Sequence, residues 1–104
     1  MAVTTVPDAD MMRAAAQAAC ALMKVLANPD RMLLLCELAE GEKNVGELQE
    51  AVGIVQPTLS QQLAVLRNEG TVTTRRDGKN IYYSIADHSV LEVVAVLHRL
   101  YCPE

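Results

Sequence analysis

Residues 44–85 read NVGELQEAVGIVQPTLSQQLAVLRNEGTVTTRRDGKNIYYSI, and they predict two short helices followed by a β-hairpin. Asn44 opens the first helix, with Glu47 three residues later in a capping-box arrangement, and Gly53 closes it. The second helix has Pro57 at its first position and ends before the next glycine. Two helices separated by a four-residue turn that begins with glycine are typical of a helix-turn-helix.

The segment after the second helix has the composition of a β-hairpin. Residues 71–76 and 80–85 are rich in β-branched and aromatic side chains, which favour strands. Between them, Asp77-Gly78 is a strong hairpin signal, because we expect both residues to take the positive φ of the central turn positions. A helix-turn-helix followed directly by a hairpin is the winged-helix arrangement.

Further helices are predicted on both sides of this stretch, over residues 8–27, from Pro29 to about Gly41, and over residues 87–102. The last helix opens with Ser89-x-x-Glu92, a second capping box. It is apolar nearly all round, so one small domain cannot bury it. We therefore expect a mainly α winged helix-turn-helix with a β-hairpin wing, in the order ααααββα, that forms a homodimer through its first and last helices.

The size and composition of the chain indicate one domain. Its 104 residues predict a single winged-helix domain over 1–104, with residues 1–7 flexible. The longest uninterrupted apolar run, 18–23, is far shorter than the roughly 18–20 residues of a membrane span. No basic flank precedes an apolar stretch, so no signal peptide is expected. The number of cysteines is three, and an odd number without a secretory signal indicates reduced thiols and no disulfide framework. We therefore expect a cytoplasmic protein without a membrane partner.

The cations are concentrated in the helix-turn-helix and wing. The chain has a net charge of −4, yet residues 54–85 hold four cations against two anions. Because phosphate contacts supply most non-specific affinity, this polarity predicts binding to double-stranded DNA. The chain has only three aromatic residues, all tyrosines. Proteins that bind single-stranded nucleic acid stack bases on several aromatic rings, so that class is disfavoured. The candidate DNA-contacting residues are Gln56, Thr58, Ser60, Gln61, Arg67, Arg75, Arg76 and Lys79, with Gln62 beside them on the polar side of the helix.

The run NVGELQE from Asn44, the run QPTLSQQL from Gln56 and the run LRNEG from Leu66 resemble the ArsR/SmtB family of winged-helix repressors. The resemblance covers residues 12–102. Two positions depart from the family pattern, since Val55 replaces a serine and Gln62 replaces a histidine. The resemblance implies a symmetric dimer, with two recognition helices in successive major grooves of a pseudo-palindromic operator, and an inducer that releases the DNA.

The metal sites of that family are not matched by this chain. The cysteine positions of the third-helix site fall on Asn44 and Gly46. In the last-helix site a ligand position falls on Ser89, and His88 and His98 have the wrong spacing. A metal ion needs three or four convergent ligands, so we expect no metal and no other cofactor.

Cys36 and Cys102 instead resemble the dithiol branch of the family, the BigR/SqrR/HlyU-like regulators. In that branch one cysteine on the second helix and one near the end of the last helix become bridged by a disulfide or a polysulfide chain. The resemblance implies that Cys36 and Cys102 are a sensing pair and that reactive sulfur species are the inducer. Arg99, one turn before Cys102, could favour its thiolate. Cys20, on the alanine-rich first helix, is interpreted as a packing residue.

Other classes of function remain as alternatives at this point. The sequence contains no Cys-x-x-Cys motif, no Ser/His/Asp constellation and no glycine-rich phosphate loop, so we expect no enzyme and no catalytic residues. A metal-responsive, peroxide-responsive or electrophile-responsive regulator of the same family stays possible. A winged-helix module that binds only protein is the other alternative.

Overall fold

The computed structural model describes residues 8–103, so the predicted flexibility of residues 1–7 concerns a segment outside the described part of the chain. The described elements are α1 Ala9–Leu26, α2 Pro29–Leu38, β1 Lys43–Asn44, α3 Val45–Val52, α4 Thr58–Asn68, β2 Val72–Asp77, β3 Asn80–Ile85 and α5 His88–Tyr101. The prediction of a mainly α winged helix-turn-helix is confirmed, with one strand more than expected.

Short polar side chains cap the starts of the first three helices. Asp8 and Asn28 accept hydrogen bonds from backbone N–H groups in the first turns of α1 and α2, at 2.8 and 3.0 Å. Asn44 and Glu47 form the complete capping box of α3, in which each side chain accepts from the backbone N–H of the other residue. These bonds satisfy N–H groups that have no partner within the helix.

Three details of the predicted helix ends are wrong. Pro57 precedes α4 instead of occupying its first position. The Ser89–Glu92 capping box does not form, because the carboxylate of Asp87 begins α5 and accepts from the N–H of Ser89 at 2.9 Å. An ionised acceptor makes the stronger bond, so Asp87 sets the boundary. The second helix ends at Leu38, before the expected glycine.

The wing is an antiparallel hairpin in which all six residues of β2 pair with the six residues of β3. Asp77 lies opposite Asn80, so the turn consists of Gly78 and Lys79. Gly78 takes the positive φ of this turn, 64°. The expectation that Asp77 also has positive φ is wrong, because Asp77 still belongs to β2 and pairs across the hairpin.

A two-residue strand extends the hairpin to three strands, in the order β1-β3-β2. In β1, Lys43 lies opposite Tyr83 and Asn44 opposite Tyr82. Two residues are too few for an alternating pattern, so sequence analysis did not predict this strand. Asn44 has extended backbone angles and therefore ends β1 and caps α3 at once. The wing is thus joined directly to the start of the helix-turn-helix.

One apolar core lies between the sheet and helices α2 to α5. Its fully buried side chains are Leu34, Leu35, Leu48, Leu59, Leu63, Leu66, Val90 and Val94. α1 contributes Val25 and Leu26 at its end, with Leu22 half-buried against the core, and residues 8–21 are exposed in the single chain. The molecule is therefore elongated, at 51 × 32 × 23 Å. Within residues 8–103 no helix combines the length and the hydrophobicity that crossing a bilayer requires.

Candidate nucleic-acid interface and cysteine pair

α4 turns one side into the core and the opposite side to solvent. Its leucines are buried, whereas Ser60 and Gln61 are exposed and Thr58 is half-buried. Hydroxyl and amide side chains on a free helix face can hydrogen-bond base edges in a major groove. This face therefore has the chemistry expected of a recognition helix.

Gln56 stabilises the start of α4. Its Oε1 atom accepts hydrogen bonds from the backbone N–H of Ser60 at 3.1 Å and from the Ser60 hydroxyl at 2.7 Å. Pro57 provides no side-chain cap, so Gln56 performs that role from one residue earlier. The exposed NH₂ group of Gln56 takes no part in these bonds and can donate to a phosphate or a base.

Arg31 is a structural residue that the sequence analysis did not single out. Its guanidinium donates to the backbone oxygens of Lys24 and Val25, at 3.1 and 2.6 Å, and to Oε1 of Gln62 at 3.0 Å. Gln62 is half-buried and held in this way, so its expected place beside the exposed residues of α4 is wrong. An arginine in the first turn of a helix opposes the helix dipole, and that anomaly was the available sequence signal.

The cations at the end of α4 and in the wing differ in their surroundings. Arg67, Arg76 and Lys79 are exposed, and within residues 8–103 none of them forms an ion pair. Arg75, by contrast, donates from Nε and one terminal nitrogen to both carboxylate oxygens of Glu42, at 2.8 and 2.7 Å. These hydrogen bonds lower the pKa of Glu42 and raise the pKa of Arg75. Both groups are therefore ionised near neutral pH.

The two candidate sensing cysteines lie at the junction of α2 and α5. Cys36 is half-buried on α2, and Cys102 is exposed directly after α5. Burial raises the pKa of the Cys36 thiol, and the charges of Cys102 and Glu37 raise it further. Cys36 and His98 line the same groove between α2 and α5. The backbone oxygen of His98 accepts from the N–H of Cys102 at 3.0 Å, so Cys102 follows one turn after a residue of that groove.

An open groove of about 530 Å³ gives access to this junction. Its walls are mostly apolar, with one carboxylate and one imidazole among them. The lining residues are Cys36, Ala39, Glu40, Leu91, Val94, Ala95 and His98. A small reagent can therefore approach the Cys36 thiol without unfolding the domain.

In the reduced native protein, Cys36 is expected to react several-fold more slowly with iodoacetamide than Cys102 at about pH 8. The thiolate is the reactive form, and the raised pKa keeps Cys36 protonated to a higher pH. The difference should shrink as the pH rises through that raised pKa. Peptide mass spectrometry of timed samples measures the two rates, with urea-unfolded protein as the control. A native Cys36 rate equal to that of Cys102 would contradict the burial of this thiol.

No cluster of three or more His, Cys, Asp or Glu side chains that could hold a metal ion exists among residues 8–103. Nε2 of His88 lies 4.0 Å from a carboxylate oxygen of Glu92 on the exposed side of α5. His98 lines the groove beside Cys36. The two histidines of α5 thus have different surroundings and do not face a common site.

Comparison with known proteins assigns the helix-turn-helix to a family. The model of the bacterial regulatory protein arsR family matches residues 28–74, from the N-cap of α2 into β2. A biofilm growth-associated repressor of Xylella fastidiosa is 47% identical over 83 residues, which are 80% of this chain and 73% of that repressor. The chain belongs to the ArsR family.

Solved structures share the complete ArsR fold of this chain. The transcriptional repressor BigR from Xylella fastidiosa matches with a TM-score of 0.85 at 42% identity, over 94% of this chain and 100% of BigR. A homodimeric winged helix-turn-helix DNA-binding domain from Mycobacterium bovis, a possible ArsR-family regulator, matches with a TM-score of 0.74 at 31% identity, over 92% and 89%. As an ArsR-family protein, this chain is a DNA-binding transcriptional regulator and not an enzyme.

The expected DNA-contacting residues of this ArsR-family chain fall into two groups. The first surrounds the start and free face of α4, and the second follows the end of α4 and the wing. The first group is Gln56, Thr58, Ser60 and Gln61, and the second is Arg67, Arg75, Arg76 and Lys79. Their contacts with DNA stay predictions, as does the sensing role of Cys36 and Cys102.

Proposed function

We propose that this ArsR-family chain is a homodimeric cytoplasmic repressor whose operator binding is switched by a bridge between Cys36 and Cys102. The observation that carries the proposal is the groove between α2 and α5, which Cys36 lines together with His98, the residue whose carbonyl accepts from the N–H of Cys102. Thiols that lie close together can be joined by a disulfide or by a short chain of sulfur atoms. Reactive sulfur species are the inducer in this proposal.

The dimer would cover the apolar surface that α1 and α5 leave exposed. Met23 is 65% exposed, Leu100 62% and Tyr101 78%. A mostly apolar groove between the two helices is lined by Ala19, Leu22, Met23, Leu26, Ala27, Val93 and Leu97. Exposed apolar patches mark interfaces, and a second copy with the same patch fits a two-fold dimer. Such a dimer would present two α4 helices to successive major grooves of a pseudo-palindromic operator.

On each half-site, α4 would read bases while the wing contacts phosphates. Thr58, Ser60 and Gln61 can hydrogen-bond base edges, and a glutamine can bond adenine with both its donor and its acceptor. Gln56 donates at the start of the helix, where phosphates bind readily. Arg67, Arg76 and Lys79 supply sequence-independent phosphate contacts. Arg75 could join them only by leaving Glu42.

The bridging step balances when a hydrogen polysulfide is the oxidant. The exposed Cys102 thiolate attacks an internal sulfur and expels hydrosulfide, so Cys102 carries a sulfur chain that ends in S–H. The Cys36 thiolate then attacks the sulfur next to that end and expels a second hydrosulfide. The two hydrosulfides leave as hydrogen sulfide with the two thiol protons. All remaining sulfur atoms of the polysulfide stay between the two cysteines.

A bridge would alter the position of α2 on α5, and α2 is connected to the recognition helix. Arg31 on α2 holds Gln62 on α4 and the last carbonyl oxygens of α1. A displacement of α2 would therefore shift α4 relative to the dimer helices. A dimeric reader depends on the spacing of its two recognition helices, so such a shift couples the bridge to release of DNA.

Fluorescence anisotropy on duplexes selected from a random pool tests this function. Reduced protein is expected to bind a pseudo-palindromic duplex with an affinity that falls steeply with salt. Sodium polysulfide is expected to weaken this binding about tenfold or more, within the usual range of allosteric coupling, and dithiothreitol should restore it.

Each other outcome of the same titration points to an alternative. Failure to bind any duplex in a salt-dependent way would indicate a protein-interaction module. Binding that polysulfide leaves unchanged would contradict the sulfur switch. Release by hydrogen peroxide, an electrophile or a metal salt in place of polysulfide would assign a different inducer.

A further inference from the structure

The guanidinium of Arg75 is surrounded by acceptors. Nε and one terminal nitrogen bind the Glu42 carboxylate at 2.8 and 2.7 Å. The other terminal nitrogen lies 3.9 Å from a carboxylate oxygen of Asp77. The guanidinium carbon lies 4.7 Å from the ring centre of Tyr82. One edge of the group is therefore hydrogen-bonded within the protein and one face lies over a ring, while the side chain as a whole is 54% exposed.

The three-stranded sheet explains why these side chains meet. Arg75 on β2 lies opposite Tyr82 on β3, and Tyr82 lies opposite Asn44 on β1. Glu42 precedes Asn44 by two residues and so shares its side of the sheet. The next residue, Arg76, turns to the other side by the same alternation. Two adjacent arginines thus have opposite surroundings on one strand.

A DNA phosphate would compete with Glu42 for the same part of Arg75. Arginine binds carboxylates and phosphates alike through two parallel N–H···O bonds from one edge. Glu42 and Asp77 together carry two negative charges against the single positive charge of Arg75. The hydrogen bonds from Arg75 keep Glu42 ionised by lowering its pKa, so the competing anion is present at neutral and mildly acidic pH.

We propose that Glu42 withholds Arg75 from the DNA backbone and thereby limits the affinity and the salt dependence of DNA binding. The wing contacts phosphates through Arg76 and Lys79, while Arg75 braces the sheet against β1. Glu42 acts as an internal anion that weakens the sequence-independent part of binding. The inference concerns the DNA binding of the reduced protein and does not depend on the cysteine switch.

Salt titrations of full-length reduced variants on a mixed-sequence DNA duplex test the proposal. Each phosphate contact contributes about 0.9 to the slope of log affinity against log salt. Glu42→Gln keeps the size of the side chain but removes its charge, so it should free Arg75 and steepen the slope by about 0.9 per subunit. Between about 50 and 200 mM salt, the affinity of Glu42→Gln for DNA should therefore fall by a factor that is roughly threefold larger per subunit than the fall for the parent.

Adjacent variants provide the matched controls. Arg76→Ala should flatten the slope by about 0.9 per subunit, whereas Arg75→Ala should alter the slope of the parent protein only by its effect on net charge. The double variant Glu42→Gln with Arg75→Ala should return to the parent slope, because the freed cation is gone. Glu40→Gln makes the same charge change two residues away and should not alter the slope beyond its effect on net charge.

Two results would overturn the proposal. If Arg75→Ala flattens the slope as much as Arg76→Ala does, Arg75 contacts phosphate in spite of Glu42. If the salt dependence of DNA binding is the same for Glu42→Gln and Glu40→Gln, Glu42 does not withhold Arg75 from the DNA. All these side chains are exposed, so thermal unfolding of each variant checks that the domain is intact.

Discussion

Replacing Leu59 with alanine is expected to lower the free energy of unfolding by about 2–5 kcal/mol. Leu59 is completely buried on α4, within the single core that the helices and the wing share. The substitution removes three side-chain carbon atoms together with their contacts. It leaves a cavity that the rigid neighbours fill only partly. Small domains have about 5–15 kcal/mol of stability, so much of the total would be lost. Urea unfolding followed by circular dichroism measures the change.

Val65→Ala on the same helix is the matched control. Val65 is 37% exposed, so the same kind of truncation should cost less than about 1 kcal/mol. Both variants must be compared at one protein concentration, because dimerisation stabilises the folded state by mass action. Equal losses for the two variants would show that the leucine side of α4 is not the buried one.

Serine at Cys36 or at Cys102 is expected to abolish the release of operator DNA by polysulfide. The parent protein should lose about tenfold or more in affinity, and each variant less than about twofold. A serine hydroxyl cannot hold a sulfur chain, so neither variant can form the bridge. Binding of the reduced variants should equal that of the parent, since the two thiols lie at the α2–α5 junction and not on α4 or the wing. Anisotropy titrations before and after treatment measure both quantities.

Cys20→Ser separates this mechanism from general thiol damage. Cys20 is exposed on α1 and lines a different groove from Cys36, so its variant should respond to polysulfide like the parent. Its expected packing role depends on the partner subunit, because α1 is mostly exposed in one chain. Release that persists in Cys36→Ser or in Cys102→Ser would mean that modification of one cysteine is sufficient.

Features that depend on nearby residues were predictable from the sequence. The capping box of Asn44 and Glu47 and the glycine in the wing turn each require only a few adjacent side chains. The leucine stripe of α4 follows from helical periodicity. The Ser89–Glu92 prediction failed because two overlapping cap signals compete, and the carboxylate of Asp87 forms the stronger bond.

Features that join distant parts of the chain were not predictable in this way. Arg75 and Glu42 are 33 residues apart, and Arg31 and Gln62 are 31 residues apart. No periodicity or cap motif connects such pairs, and only the folded sheet and helix packing bring them together. The pairing of Cys36 with Cys102 likewise came from family resemblance, because spacing alone does not specify which thiols meet.

Mass spectrometry of polysulfide-treated protein, taken from the same sample that has released its operator DNA, tests the cysteine switch most directly. Trypsin would yield Cys36 in peptide 32–43 and Cys102 in peptide 100–104. Mixed dimers of isotope-labelled and unlabelled chains distinguish a bridge within one chain from a bridge between chains. We expect the two peptides joined within one chain, with one or more added sulfur atoms between them. Released protein in which Cys36 and Cys102 remain unlinked would contradict the proposed mechanism.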